Sequence, residues 1–233
     1  MGEKRKKLCG ILFAFIICIA AAAAVRIFGI QNLASLKADK AHMPHVYLDA
    51  GHGDFDFGAV GRLGDSYSLY EKDLTLAVAR LCQADFEERG YRVTPARTGD
   101  DRLTYTTAAD EVRARRAAAE EAGAELLISI HANAYVGEGR AYGARVYYNP
   151  SSEPSRRYAE SIAAAITTYT APHALRECRV VADGSYYVLG NTELPAVLIE
   201  LGFLSDKEEC ALLADEEYRA LLAVSIAKGV DGH

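Results

Sequence analysis

Strands alternating with helices predict an α/β layered domain, preceded by a transmembrane helix at the N-terminus. Two observations in the 233-residue chain carry that expectation. Apolar runs of strand length recur between stretches of helical periodicity, and residues 8–25 hold no charge. His45–Asp49 reads as a short strand that stops at the turn Ala50-Gly51-His52-Gly53. A Gly- and Asp-rich loop runs on to about Tyr70. From Glu71 the residues Leu74, Val78, Leu81, Cys82 and Phe86 recur on one helical face, with Gly90 as the stop. Tyr91–Thr94 is the next strand, Tyr105–Ala122 a second helix, and Leu126–Ile130 an apolar strand running directly into His131. Ala144–Tyr148, closed by Asn149-Pro150, is another strand, and Pro154–Tyr169 a helix. Pro195–Ile199 is an apolar, β-branched strand ending at Glu200, and helices near Asp206–Leu213 and Glu216–Val230 finish the chain.

The uncharged run is bracketed by Lys4, Arg5, Lys6 and Lys7 on one side and Arg26 on the other. About 18 apolar residues suffice to span a bilayer as a helix. The basic cluster keeps to the cytoplasm and places the body outside. The expected division is a cytoplasmic basic tail over 1–7, a transmembrane anchor over 8–28, a polar linker over 29–44 and a folded domain over 45–233. The tract Ala20–Ala24 also suits a signal peptidase, so a cleaved signal segment is the rival reading. Hydrophobic Val25, Ile27 and Phe28 favour the uncleaved anchor. Either way the body is exported, as the extracytoplasmic domain of a single-pass membrane protein or as a secreted one.

The formal charge of −6 includes +3 from residues 1–7, so the rest of the chain carries −9. An acidic body repels phosphates and argues against a nucleic-acid partner. Five widely spaced cysteines, with no Cys-x-x-Cys pair, make neither a disulfide framework nor a thiolate zinc site. Cys82, Cys178 and Cys210 read as structural thiols.

His52, His131 and Glu200 each follow a predicted strand, and reactive residues of α/β folds collect at strand ends. A catalytic zinc takes three N/O ligands and keeps one position open, and two histidines with a glutamate form one recurrent set. The candidate ligands are His52 between two glycines, Glu71 at a helix start and His131 at a strand end. Each has a plainer alternative. Ser68-Leu69-Tyr70-Glu71 matches a capping box, in which Glu71 would only bond back to the helix N-terminus. A lone histidine at a strand end is more often hydrogen-bonded structure than a ligand. His42, His45, His173 and His233 are read that way.

Taken together, Asp49-Ala50-Gly51-His52-Gly53, Tyr70-Glu71-Lys72-Asp73-Leu74, Ser129-Ile130-His131-Ala132-Asn133 and the segment from Ile199-Glu200 to Ser205 are similar to motifs of a known family. They resemble those of the zinc-dependent N-acetylmuramoyl-L-alanine amidases of the Amidase_3 family, over about His45 to Val230. The resemblance implies a single three-layer domain with a mixed, mostly parallel sheet between helices. It also implies one Zn2+ held by His52, Glu71 and His131, with Glu200 as the catalytic carboxylate. Arg97-Thr98 with Asp100, and Arg115 sixteen residues before His131, look like further family features. Asp54, in place of a usual glycine, and Glu120, in place of a usual asparagine, depart from the pattern.

The chemistry implied is hydrolysis of the amide between the muramic acid lactyl group and L-alanine of peptidoglycan, with Glu200 relaying the proton of water to the departing nitrogen. Asp49 is expected to orient His52 through its second ring nitrogen. Asn133 is expected to meet substrate. The layout of anchor plus one domain is similar to the germination-specific spore-cortex amidases, which prepare muramic-lactam and imply an activating partner protein. A vegetative wall-turnover amidase is the competing role. Two other classes stand beside it: a metal-independent glycosidase using Glu71 and Glu200, and a non-catalytic wall-binding module.

Overall fold

The computed structural model describes residues 44–65, 67–100, 108–190 and 193–233. The expected tail, anchor and all of the linker before Pro44 lie outside the described residues. Among the described residues no helix is long and apolar enough to cross a membrane.

The chain from Pro44 onward forms β1 (His45–Ala50), β2 (Val60–Leu63), β3 (Tyr67–Tyr70), α1 (Glu71–Glu88), β4 (Arg92–Pro95), α2 (Ala108–Glu121), β5 (Leu126–Asn133) and β6 (Arg145–Tyr148). There follow α3 (Glu153–Thr170), β7 (Arg179–Ala182), a short 3-10 turn (Tyr187–Leu189), β8 (Ala196–Phe203), α4 (Lys207–Ala214) and α5 (Glu216–Asp231). Six strands make the central sheet in the order β4-β1-β5-β8-β6-β7. β4, β1, β5 and β8 are parallel, β6 is antiparallel to β8, and β7 is parallel to β6. The sheet is therefore mixed and mostly parallel, as expected.

Successive side chains of a strand point to opposite faces, which divides the sheet's job in two. Val46, Leu48, Ile128, Ile130, Val197 and Ile199 are fully buried on one face. The helices α1, α5 and α3 pack side by side and close it. The other face carries Tyr47, Leu127, Ala196, Leu198 and Tyr147, which cluster with Ala119 of α2 and with Val188 and Leu189 of the 3-10 turn. This second cover is thin, one helix and one turn, and it leaves polar residues of the same face open to a cleft.

Four features differ from the sequence expectation. The segment read as a loop up to Tyr70 contains the antiparallel hairpin β2–β3. Its strands are four residues each, too short to show alternation. β7 is likewise a four-residue, largely exposed edge strand with no apolar pattern. The strands β5 and β8 run on through His131 and Glu200 to Asn133 and Phe203. Backbone ladder bonds do not depend on the side chain, so the end of an apolar run was not the end of the strand. The capping box is also absent: Tyr70 is the N-cap of α1, without a side-chain cap bond, and Ser68 lies in β3.

Candidate active site

The register of the sheet sets the site. His131 pairs with Glu200, and Asp49 with Ser129, in neighbouring parallel strands. Ladder partners stand on one face, so all four point toward the thinly covered side. Glu71, as the first residue of α1, is carried to the same place by the hairpin β2–β3, and His52 arrives on the turn after β1.

The three expected ligands converge. His52 Nε2 and His131 Nδ1 each stand 3.0 Å from Glu71 Oε1. One ligand atom from each of the three residues lies within 4.8 Å of the others. Glu71 is oriented by backbone donors: Ala59 N–H donates to Oε2 at 2.7 Å and Ala132 N–H to Oε1 at 2.9 Å. Burial opposes its ionisation, but hydrogen bonds from His131 and then His52 hold its carboxyl well below the usual range. Burial likewise opposes the charged form of His52, while Glu71 and then Asp56 lift the imidazole to about 9. Two imidazoles and one carboxylate converging on one point are a donor set that fits a divalent cation.

Local backbone chemistry builds this cluster. His52 and Asp54 both adopt left-handed backbone, φ +63° and +51°, a region uncommon outside glycine and better tolerated by His and Asp. That is why Asp54 can stand where the resemblance leads one to expect glycine. Its N–H donates to Asp100 Oδ1 at 3.1 Å, and its carbonyl accepts from Lys72 Nζ at 2.9 Å. Two glycines are required by contact: a Cβ on Gly51 would lie 2.3 Å from the His131 ring, and one on Gly58 2.5 Å from Glu71 Oε2.

Asp49 does not reach His52, contrary to expectation. It is buried, ion-paired with Arg115, and accepts from Ser129 Oγ at 2.8 Å. Burial resists its charge, but the Arg115 guanidinium and the His131 imidazole hold the carboxyl below the usual range. The residue that orients His52 is Asp56, whose Oδ2 accepts from Nδ1 at 2.8 Å. That leaves Nε2 facing Glu71, in the manner of outer partners that fix a ligand's tautomer. Arg115 also donates to the carbonyls of Ala50 at 3.0 Å and His52 at 3.1 Å. Arg97 donates to those of Ala50, Gly51 and Lys72. Both arginines therefore brace the turn, and Arg115 also lines the cleft.

Glu200 stands beside the cluster with 8 % of its surface exposed, and its Oε2 has no hydrogen-bond partner. Burial pushes its carboxyl up to about 7, against the pull of His131 and with the push of Glu71. It lines a cleft of about 370 Å³ together with His52, His131, Tyr186, Tyr187 and Val188. Asn133 is half-buried two residues past His131 and is not among the residues lining that cleft.

Sequence reasoning missed Asp56, Gly58, the tyrosine wall and Arg116. Arg116 donates from α2 to the carbonyls of Val188 at 2.6 Å and Leu194 at 3.2 Å, and Glu120 holds it at 3.1 Å. The departure at Glu120 thus steadies the arginine by which α2 holds the 3-10 turn of the cleft wall. Only its spacing of four from Arg116 on a helix hinted at that.

A paired-histidine, single-glutamate cation site with a buried carboxylate beside it, on the face of a mixed α/β sheet, defines a metallohydrolase class. The family described as N-acetylmuramoyl-L-alanine amidase (Amidase_3) matches residues 46–232, and the chain belongs to it. The germination-specific N-acetylmuramoyl-L-alanine amidase of Bacillus subtilis is 33% identical over 192 residues, covering 79% of this chain and 77% of that protein. Another B. subtilis protein, YqiI, is 34% identical over 190 residues, covering 81% and 84%. The CwlD amidase of Clostridioides difficile, solved in complex with the GerS lipoprotein, superposes with a TM-score of 0.69 at 30% identity, covering 81% of this chain and 97% of that one. The chain is accordingly an N-acetylmuramoyl-L-alanine amidase acting on peptidoglycan. The carboxylate-pair glycosidase is set aside: Glu71 spends its charge on two imidazoles and two amide N–H groups.

Proposed function

We propose that the enzyme works as a zinc amidase, with His52, Glu71 and His131 as ligands and Glu200 as acid and base. The convergence of those three ligand atoms next to a carboxylate with an unpartnered oxygen carries the reading. When bound, zinc supplies a Lewis acid for the lactyl carbonyl and lowers the pKa of water toward 7. Glu200 accepts the proton released as water adds to that carbonyl carbon. It then returns the proton to the L-alanine nitrogen as the C–N bond breaks, leaving a muramic carboxylate and a free peptide amine. Asp56 keeps the His52 tautomer fixed, and Tyr186, Tyr187 and Val188 wall the cleft against bulk water.

Purified peptidoglycan digested with the zinc-loaded protein should release peptide stems with free N-terminal L-alanine, identified by mass analysis. A strong chelator should stop the release, and added zinc should restore it. Reducing sugar in place of free stems, or activity that survives the chelator, would refute the assignment.

The likeness to a germination-specific relative supports a role in spore cortex, where stem removal prepares muramic-lactam. The CwlD neighbour's structure with a lipoprotein supports an activating partner. We assign the enzyme to the outer side of the cell membrane, held by residues 8–28, on the charge pattern of the N-terminus. Cortex from a deletion strain should lack muramic-lactam; unchanged lactam content would move the enzyme to vegetative wall turnover.

A further inference from the structure

The ladder that pairs His131 with Glu200 continues across the sheet. Glu200 pairs with Arg145 on β6, and Arg145 pairs with Arg179 on β7. His131, Glu200, Arg145 and Arg179 therefore form one row over four neighbouring strands, on one face. Strands are spaced by about 4.8 Å, so the row carries two cations to about 10 Å beyond Glu200, on the side away from the metal ligands.

Arg145 is held yet unused. Its guanidinium stacks over the Phe203 ring at 4.8 Å, and its Nη1 meets the Tyr147 hydroxyl at a long 3.4 Å. Its Nε is buried with no hydrogen-bond partner. Among the described residues it forms no ion pair, whereas Arg115, Arg116 and Arg140 each have a carboxylate. Arg179 is exposed on the edge strand. A guanidinium with spare donors costs desolvation, and within the fold the nearby charge of Glu200 offsets that without a hydrogen bond or an ion pair. A carboxylate of the ligand would complete it with charge-assisted bonds.

The direction of the reaction supplies the ligand. Glu200 delivers its proton to the departing nitrogen, so the peptide attached to that nitrogen lies on the Glu200 side of the cation site and continues over β6. Stem peptides carry free carboxylates. We infer that Arg145, with Arg179 beyond it, is a specificity-determining anion subsite that receives a carboxylate of the leaving peptide. The inference rests on the amidase roles assigned above and adds the orientation of substrate along the row.

The test compares two soluble muramoyl-peptides identical except that the stem carboxylates of one are amidated. The readout is the ratio of kcat/KM, acidic over amidated, for the zinc-loaded protein. Arg145→Gln should lower that ratio by about 10-fold, mainly through KM, since one charge-assisted contact is worth about that much. Arg145→Lys should recover part of it, and Arg179→Gln should lower it by about 2–3-fold as an exposed contact. A ratio unchanged in Arg145→Gln and Arg179→Gln, even with slower overall rates, overturns the subsite. Should Arg145→Gln fail to fold by circular dichroism, the Arg145→Lys and Arg179→Gln ratios decide in the same way. Wild-type protein that cleaves neither peptide even with its activating partner supplied would instead bring down the amidase roles themselves.

Discussion

The turn after β1 and the middle of β8 face each other across the cleft, and they hold their reactive groups by opposite means. His52 sits on strained backbone, with left-handed conformations at His52 and Asp54 that cost about 1–3 kcal/mol each. That cost is offset by braces: Arg97 and Arg115 bind three carbonyls of the turn, and Asp56 fixes the ring. Glu200 sits on a strand, paired with His131 just before a shift of the ladder register, and its Oε2 has no hydrogen-bond partner. On the proposed roles, a ligand must be fixed in position, which suits a loop rich in hydrogen bonds. A proton carrier must be near neutrality, which suits a strand that leaves it desolvated.

The largest expected effect tests that division. Glu200→Gln should lower kcat by about 10²–10⁴-fold, the usual worth of a general acid–base group. Zinc content by elemental analysis should remain that of the wild type. His52→Ala should lose both metal and activity. Loss of metal in Glu200→Gln would show that the two halves are one unit and break the contrast.

Next is the brace itself. Arg115→Ala leaves Asp49 buried without its cation, which should cost about 3–5 kcal/mol in urea unfolding at pH 7. The pH dependence fixes the cause. In the wild type the Asp49 carboxyl is held below its unfolded value, so its contribution is present above that value and is lost as pH falls through the folded one. Without Arg115, burial dominates and raises the carboxyl. The sign then reverses, because the folded variant prefers protonated Asp49 and gains relative to wild type as pH falls. The gap between the two proteins should narrow between about pH 7 and pH 4. A constant gap would mean that Arg115 acts by packing alone.

The same contrast explains what the sequence disclosed. Short motifs around His52, Glu71, His131 and Glu200 are local in the chain and carry their chemistry in residue type, so all four could be named as candidates before the fold brought them together. The order of main helices and sheet strands was legible because burial imposes periodicity on long segments. Asp56 and Gly58 were not, since a turn braced by side chains has no period. Asp49 was misjudged because proximity in sequence to His52 suggested contact, while the strand's alternation turned it toward Ser129 and Arg115 instead. Arg145 escaped notice because its meaning comes from strand order, and β6 enters the sheet antiparallel beside β8.

The smallest effect separates orientation from ligation. Asp56 accepts from His52 Nδ1 and touches neither His131 nor Glu71 among the contacts of the cluster. Removing such an outer partner typically weakens metal binding by about 10–100-fold. Asp56→Asn keeps an acceptor oxygen but loses the charge, so it should fall at the lower end of that range. Asp56→Ala loses both and should reach the upper end. Zinc affinity measured by competition with a chromophoric chelator gives the order, and excess zinc should restore much of the hydrolysis in both variants. If neither variant changes affinity while hydrolysis still falls, Asp56 belongs with substrate rather than with the brace. The left-handed turn would then serve the cleft and not the ion.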